Sequence, residues 1–205
     1  MMAGDLRVCF LGDSYVAGTG DPEHLGWTGR LAARTHRAGQ PLTTYNLGVR
    51  RQTSTEVLQR WLAECTPRLP AGCDGRLVIS FGVNDTTVED DQQRVDTATS
   101  IANFTELLRG ARRADWSILA VGPPPVADPA HSSRTKQLDQ HLADTAAQLT
   151  VPYVSTFDAL SRSSTWMRQV ASGDGAHPAE EGYAVLADLL WTPWSDWLAS
   201  SSSQR

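Results

Sequence analysis

An apolar run at residues 8–11 stops abruptly at Gly12-Asp13-Ser14, and this junction constrains the fold more than any other stretch. A short apolar run that is bounded by a turn signal is typical of a buried strand. In open α/β sheets, ligands bind beyond the carboxyl ends of the strands. The junction therefore predicts a strand that delivers Ser14 to the binding edge of a sheet.

The rest of the chain alternates between strand-like and helix-like patterns. Further strands are predicted at residues 42–47, 77–81, 117–121 and 151–154. Helices are predicted from Gly26 with Thr28 as its cap, from Thr53 or Ser54, over residues 96–114 and 133–149, and from Pro178. Residues 86–94 are expected to be a polar loop and 165–167 an irregular stretch, and Pro193 is expected to break the last helix. Short links between alternating strands and helices predict a parallel sheet covered by helices on both faces.

Length and composition narrow the class of protein. With 205 residues, 40% of them hydrophobic, the chain suits a single domain at residues 1–199, and the polar tail at 200–205 is expected to be disordered. The net charge of −5 argues against nucleic acid or an anionic membrane as the main partner. No apolar run is long enough to span a membrane and the N-terminus does not resemble a signal peptide, so a cytoplasmic location is expected. Three widely spaced cysteines indicate neither a disulfide framework nor a metal site.

Polar residues that can take part in catalysis follow several of the predicted strands. Acyl transfer needs an activated hydroxyl, a base, a group that orients the base, and donors for the developing oxyanion. Ser14 supplies a hydroxyl, and His177 is a candidate base because a neutral imidazole accepts protons near pH 7. Asp174 lies three residues before His177 and could orient its ring, while Asn84 could direct its amide at an oxyanion.

Each of these residues also has an interpretation without catalysis. Serine is common in turns, Asp174 between two glycines could simply form a turn, and His177 could be an exposed loop residue. Asn84 could cap a helix, and the charges at Arg50 and Arg51 could be solvated. The glycine-rich turn at residues 18–22 could cradle a phosphate, but no P-loop pattern and no following lysine supports that interpretation.

Four blocks in order along the chain resemble the SGNH (GDSL-type) hydrolases, and small bacterial GDSL-type esterases and lipases in particular. The blocks are Gly12-Asp13-Ser14, Asn46-Leu47-Gly48, Gly82-x-Asn84-Asp85 and Asp174-x-x-His177-Pro178. The resemblance implies a flavodoxin-like three-layer α/β/α sandwich with a five-stranded parallel sheet. It implies Ser14 as nucleophile, His177 as base and Asp174 as the orienting carboxylate. It also implies an oxyanion hole made by the Ser14 N–H, a backbone N–H of the second block and the Asn84 side chain.

The second block departs from the family pattern. Counting from Asn46, the glycine that donates to the oxyanion in the family falls on Arg51. Two alternatives are open. Either the Arg51 N–H still donates and its side chain points to solvent, or its guanidinium enters the site and binds the oxyanion or an acid group of the substrate. A charged donor would make the stronger hydrogen bond.

The predicted function is hydrolysis of small, short-acyl carboxylic esters through an acyl-enzyme on Ser14. Candidate substrate contacts are Arg50, Arg51 and Pro124. The expected partner is a small-molecule ester, with no metal or organic cofactor and no stable membrane association. The alternatives are a thioesterase or lysophospholipase, a carbohydrate acetylesterase, and a non-catalytic ligand-binding domain. The oligomeric state, monomer or homodimer, stays open because Trp191, Trp194 and Trp197 could form core or an association surface.

Overall fold

The computed structural model describes residues 5–200. Its centre is a sheet of five parallel strands, interrupted in the chain by a short antiparallel hairpin. The sheet strands are β1 (Leu6–Gly12), β2 (Thr43–Gly48), β3 (Asp74–Ser80), β6 (Ser117–Val121) and β7 (Tyr153–Val154), and the hairpin strands are β4 (Val88–Glu89) and β5 (Gln92–Gln93). The order β2-β1-β3-β6-β7 is the flavodoxin-like arrangement, so the predicted parallel α/β sheet is confirmed.

Eight helices surround the sheet within the described residues. They are α1 (Ser14–Ala17), α2 (Gly26–Arg37), α3 (Ser54–Cys65), α4 (Thr97–Arg113), α5 (Pro129–Gln148), α6 (Phe157–Arg162), α7 (Ser164–Ser172) and α8 (Glu180–Ala199).

Alternation along β1 separates two apolar cores. Val8 and Phe10 pack on one face of the sheet with residues of α2, α7 and α8. Cys9 and Leu11 pack on the other face with residues of α3, α4 and α5. Successive side chains of a strand point to opposite faces, so a strand that is apolar at every position needs cover on both sides. The result is the predicted three-layer α/β/α sandwich.

Glycines end β1 and β2, where these two strands and β3 lie side by side. Gly12 pairs with Gly48 on β2 and with Ser80 on β3. A Cβ on Gly12 would lie 1.9 Å from the Ser80 carbonyl oxygen, and a Cβ on Gly48 would lie 2.1 Å from the Ala17 nitrogen. These glycines let the strand ends and α1 approach closely, which brings the first, second and third sequence blocks to one edge of the sheet.

Two expectations about the C-terminal third are wrong. The stretch around Trp166 is helical rather than irregular, because Ser163 caps α7 through its hydroxyl and Trp166 is fully buried. Helix α8 also continues through Pro193. An interior proline costs a helix about 3 kcal/mol. Packing of Trp194, which is buried and donates to the Thr35 hydroxyl at 2.8 Å, holds the helix together.

Smaller differences concern element boundaries. Thr28 does not cap α2 but lies buried inside its first turn. Helix α5 begins at Pro129, four residues earlier than expected, because the Asp128 carboxylate caps it by accepting from the His131 N–H. The stretch at 86–94, expected to be a loop, contains the β4–β5 hairpin, with Asp90 and Asp91 at positive φ in the turn. Aspartate tolerates this backbone conformation better than most residues do.

The tryptophans near the C-terminus divide between core and surface. Trp194 and Trp197 are buried, whereas Trp191 is partly exposed with the Arg34 guanidinium 4.1 Å from its ring centroid. The predicted tail lies outside the described residues except for Ser200, whose N–H donates to the Asp196 carbonyl. In the stretch 5–200, no helix is both long and apolar enough to cross a membrane.

Candidate active site

Ser14 is the first residue of α1, and only Asp13 separates it from the inner strand β1. Asp13 caps this short helix, with its Oδ1 accepting from the Tyr15 N–H at 3.0 Å. The cap turns the chain sharply at the sheet edge and leaves Ser14 only 3% exposed, at the base of a cleft. Because Ser14 opens the helix, its backbone N–H has no acceptor within α1.

The loop of residues 173–178, here called the histidine loop, joins α7 to α8 and holds both Asp174 and His177. Asp174 Oδ1 accepts the N–H groups of Ala176 at 3.0 Å and of His177 at 2.8 Å. Gly175, which follows Asp174 directly, adopts φ +82°. The aspartate therefore folds the loop around its own carboxylate, as in an Asx turn.

A continuous hydrogen-bonded chain joins this loop to Ser14. Asp174 Oδ2 lies 2.7 Å from His177 Nδ1, and His177 Nε2 lies 2.7 Å from Ser14 Oγ. With the Nδ1 proton directed at the carboxylate, Nε2 is the ring nitrogen that is free to accept the serine proton. Ser14 thus meets two residues of the distant histidine loop, Asp174 and His177, in a serine–histidine–aspartate chain.

The charge of Asp174 suits this arrangement. Partial burial raises the pKa of its carboxyl group, but hydrogen bonds from the His177 backbone and ring and from the Ala176 N–H outweigh burial and lower the pKa to about 2. The carboxylate is therefore ionised at neutral pH and can stabilise a positive imidazole.

Tyr15 contacts the histidine loop through both its hydroxyl group and its ring. Its hydroxyl donates to the Ala176 carbonyl at 2.8 Å, and its ring centroid lies 4.9 Å from that of His177. The glycine-rich turn after α1 packs against the same loop, because a Cβ on Gly20 would lie 2.6 Å from the Pro178 carbonyl oxygen. This close approach explains why residue 20 is a glycine, so a phosphate-binding role is not needed to explain it.

The loop of residues 49–53, here called the oxyanion loop, forms the opposite wall. Arg51 adopts φ +68°, and within residues 5–200 its backbone N–H has no hydrogen-bond acceptor. Its guanidinium contacts Glu89 Oε1 at 3.3 Å, and its side chain is 73% exposed. This placement favours the first of the two alternatives for Arg51, donation by the backbone with the side chain directed outward.

Asn84 lies between the two walls. Its Nδ2 donates to the Gln52 carbonyl at 3.0 Å and to Asp13 Oδ2 at 3.3 Å. The second bond is long, so an oxyanion in the cleft could compete for that proton. Burial raises the pKa of Asp13 to about 7, which keeps a share of this carboxyl neutral near physiological pH.

The cleft has a volume of about 220 Å³, and most of the residues around it have polar or charged side chains. Its lining residues are Ser14, Tyr15, Arg50, Arg51, Val83, Asn84, Thr87, Glu89, Arg94, His131, Asp174, Ala176 and His177. All the predicted catalytic and oxyanion residues are therefore brought together, although their catalytic roles stay predictions.

Of the three candidate substrate contacts, two line the cleft and one does not. Arg50 lines the cleft with its guanidinium 4.0 Å from Asp174 Oδ2, and Arg51 lines it through the oxyanion loop. Pro124 is buried and is not among the residues that line the cleft, so a substrate contact there stays a prediction without support from this geometry. The triple proline run packs inward instead, where the Pro125 carbonyl accepts from the buried Trp166 indole at 3.1 Å.

Sequence reasoning missed the contribution of the hairpin and of α5 to the cleft. Thr87, Glu89 and Arg94 line it because the hairpin folds back beside the oxyanion loop. His131 lines it from the first turn of α5, with Nε2 donating to the Val83 carbonyl at 2.9 Å, and burial lowers its pKa. The Asp128-Pro129 pair, a typical helix start, could have placed His131 near the sheet edge.

Across residues 5–200, no three His, Cys, Asp or Glu side chains cluster as a ligand set. The expectation that the chain uses no metal or organic cofactor stays a prediction.

A serine–histidine–aspartate chain at the carboxyl edge of a parallel sheet is an arrangement that serine hydrolases use. The chain belongs to the GDSL-like lipase/acylhydrolase family, whose model matches residues 10–185. The predicted resemblance is confirmed, and with it an ester-hydrolysing class of enzyme.

Solved structures share the fold over nearly the whole chain. A lipase/acylhydrolase from Enterococcus faecalis aligns with a TM-score of 0.77 at 22% identity, covering 93% of this chain and 96% of its own. An acetylxylan esterase from Geobacillus stearothermophilus gives 0.75 at 17% identity, covering 98% of each chain. A psychrotrophic esterase from Pseudoalteromonas sp., solved inhibited by monoethylphosphonate, gives 0.72 at 18% identity, covering 95% and 99%. At these identities the similarity concerns the fold. No curated protein matches the chain.

Proposed function

We propose that the protein hydrolyses small carboxylic esters with a short acyl group, through an acyl-enzyme on Ser14. The observation that carries this proposal is the unbroken chain from Ser14 Oγ through His177 to Asp174, with both hydrogen bonds at 2.7 Å. Family membership supports ester hydrolysis as the reaction class.

The geometry supports a two-step reaction. His177 Nε2 takes the Ser14 proton as Oγ attacks the carbonyl carbon, and Asp174 stabilises the imidazolium that forms. The backbone N–H groups of Ser14 and Arg51 and the amide of Asn84 are the donors available for the oxyanion. His177 then protonates the departing alcohol. In the second step it activates a water that releases the acid from Ser14.

The size and lining of the cleft support a small acyl group. A volume of about 220 Å³ lies below the range of roughly 300–1,000 Å³ that is typical of drug-sized ligand pockets. Val83 and Ala176 are the only aliphatic side chains of the lining. A long acyl chain needs an extended apolar groove, so the lysophospholipase and long-chain thioesterase alternatives receive little support.

The second candidate is an esterase that removes acetyl groups from carbohydrates. The specific observation in its favour is the polar rim, where Arg50, Thr87, Glu89 and Arg94 offer hydrogen-bonding groups around the cleft. A sugar leaving group would be bound through such groups, whereas a simple alkyl alcohol would not need them.

The test is hydrolysis of p-nitrophenyl esters from acetyl to long acyl chains, with Ser14→Ala beside the wild type. Ser133→Ala, which changes an exposed serine on α5, is the matched control. We expect activity that peaks at short chains, is abolished by Ser14→Ala and is unchanged by Ser133→Ala. Equal slow rates for wild type and Ser14→Ala would contradict the proposal. Acetylated xylo-oligosaccharides in place of the nitrophenyl esters then decide between the two candidates.

A further inference from the structure

The oxyanion loop contains an unusual backbone conformation. Val49 to Gln52 form a turn in which the Gln52 N–H donates to the Val49 carbonyl at 3.3 Å, and Arg51 is the third residue at φ +68°. This is the position of a type II turn that normally takes glycine. A residue with a Cβ pays about 1–2 kcal/mol for the left-handed conformation, so other contacts must hold Arg51 in place.

One of these contacts comes from Arg94, at the end of the β4–β5 hairpin. Its Nη1 donates to the Arg51 carbonyl at 2.9 Å. The Arg94 side chain is only 18% exposed and has Glu56 3.8 Å away. Glu56 in turn accepts from the Thr53 N–H at 2.7 Å, so Arg94 also contacts the group that anchors the end of the oxyanion loop.

A second contact comes from Glu89 in β4. Its Oε1 lies 3.3 Å from the Arg51 guanidinium and 3.8 Å from Arg94 Nε. The hairpin thus holds residue 51 twice, by the backbone through Arg94 and by the side chain through Glu89.

We propose that Arg94 is a positioning residue that holds Arg51 in the left-handed conformation and so keeps the Arg51 N–H directed at the oxyanion. The β4–β5 hairpin and Arg94 together replace the glycine that this position would otherwise need. Without Arg94, Arg51 relaxes to a negative φ, which rotates the Arg50–Arg51 peptide and turns its N–H out of the cleft. The inference rests on the proposed function, because it assigns a task to the oxyanion loop of that same site.

The experiment compares Arg94→Gln in two backgrounds, the wild type and Arg51→Gly, by the kcat and KM of p-nitrophenyl acetate hydrolysis. In the wild type we expect kcat to fall ~10- to 100-fold with KM nearly unchanged, since a displaced oxyanion donor weakens binding of the transition state alone. In the Arg51→Gly background the same change should cost less than about threefold, because glycine populates the left-handed conformation without help. Arg94→Lys, which keeps one donor, should recover part of kcat.

Arg134→Gln is the matched control. Arg134 also donates to a loop carbonyl, that of Thr86 at 3.0 Å, but it does not line the cleft. Its loss should leave kcat within about twofold of the wild type. An equal cost of Arg94→Gln in both backgrounds, or a rise in KM with constant kcat, would overturn the proposal. A rise in KM would mean that Arg94 binds substrate directly.

A crystal structure of Arg94→Gln separates this proposal from the proposed function. We expect φ of Arg51 to leave the positive region in the variant. A positive φ that persists overturns the positioning role, whatever the activity of the enzyme. If Ser14→Ala retains wild-type activity while φ of Arg51 does change, the proposed function fails and the structural role of Arg94 stands.

Discussion

The histidine loop is shaped mainly by its own carboxylate, whereas the oxyanion loop is shaped by side chains from distant parts of the chain. Tyr15 and Ala127 each add one hydrogen bond to the histidine loop from outside it. Asp174 accepts hydrogen bonds from the backbone N–H groups of Ala176 and His177 and from the His177 ring, all within three residues. In the oxyanion loop, the Arg51 carbonyl is bonded by Arg94 and the Gln52 carbonyl by Asn84. The two walls of the cleft therefore depend on different amounts of the surrounding structure.

The difference between the two loops affects which amino-acid substitutions each of them can tolerate. A loop that carries its own turn residues can keep its geometry when its surroundings change, since the bonds that shape it travel with it. A loop that is shaped from outside can accept an unusual residue, such as Arg51 at positive φ, as long as its distant contacts remain. Substitutions in each wall should accordingly give different signatures.

The largest loss of activity is expected for a substitution in the histidine loop. His177→Ala removes the only ring nitrogen hydrogen-bonded to Ser14 among the described residues, and kcat should fall by roughly 10⁴-fold or more, because members of such a chain act as a unit. Steady-state kinetics measures the loss. His141→Ala on the exposed side of α5 is the control. A loss below tenfold for His177→Ala would remove His177 from the reaction.

Asn84, which lies between the two walls, should give an intermediate effect. Asn84→Ala removes a side-chain donor from the cleft, and kcat should fall by about 10²–10³-fold. Asn103→Ala is a sharp comparison, because this amide bonds Ser54 and Thr55 behind the loop and should lower thermal stability rather than kcat. Retention of more than a third of kcat by Asn84→Ala would show that the oxyanion is bound elsewhere.

Two aspartates of the site, Asp13 beside Ser14 and Asp174 in the histidine loop, respond to pH in opposite ways. The folded-state pKa of Asp13, which bonds Asn84, is raised to about 7, so this group stabilises the fold below its unfolded pKa of about 3.9 and the contribution is lost as pH rises toward 7. The pKa of Asp174 is lowered to about 2, so its contribution is present above about pH 4 and is lost as pH falls toward 2.

Urea unfolding of the wild type and Asp13→Asn between pH 4 and 8 measures the first of these. Relative to Asp13→Asn, the wild type should lose stability with rising pH, by at most about 1.4 kcal/mol per pH unit. The variant supplies the comparison because its amide can still accept from the Tyr15 N–H but does not titrate. Parallel stability curves would show that Asp13 is ionised throughout this range in the folded protein.

The smallest effect is expected for the unusual residue itself. Arg51→Gly removes an exposed guanidinium whose ion pair with Glu89 is worth about 0–1 kcal/mol, and it relieves the positive φ. We expect kcat to change by less than about threefold and the preferred acyl length to stay the same. Rates across the p-nitrophenyl ester series measure both. A loss of tenfold, or a shift toward longer chains, would place the guanidinium in the site.

The same contrast explains how much could be predicted from the sequence. The aspartate-to-histidine spacing of the histidine loop and the serine after β1 are local patterns, so their residues could be named before the fold was known. The alternation of apolar runs with helical patterns likewise predicted the five strands of the sheet, because burial on both faces leaves a clear signature in β1, β3 and β6.

The hairpin and its two cleft contacts could not be predicted in this way. Residues 86–94 are mostly polar, and the pairing of β4 with β5 spans only two residues on each side, too few for a visible alternation. The bond from Arg94 to Arg51 joins residues 43 positions apart, and no periodicity encodes it. Packing also overrode local signals at Pro193 and Trp166, where buried aromatic side chains maintain helices that the sequence pattern did not predict.

The central claim, that Ser14 is a nucleophile activated by His177, is tested most directly by covalent labelling. The protein is treated with a small fluorophosphonate ester, and the labelled peptide is identified by mass spectrometry in the wild type, Ser14→Ala and His177→Ala. The account predicts one adduct per chain at Ser14, none in Ser14→Ala, and much slower labelling in His177→Ala. Labelling at another residue, or equal labelling of wild type and Ser14→Ala, would contradict it.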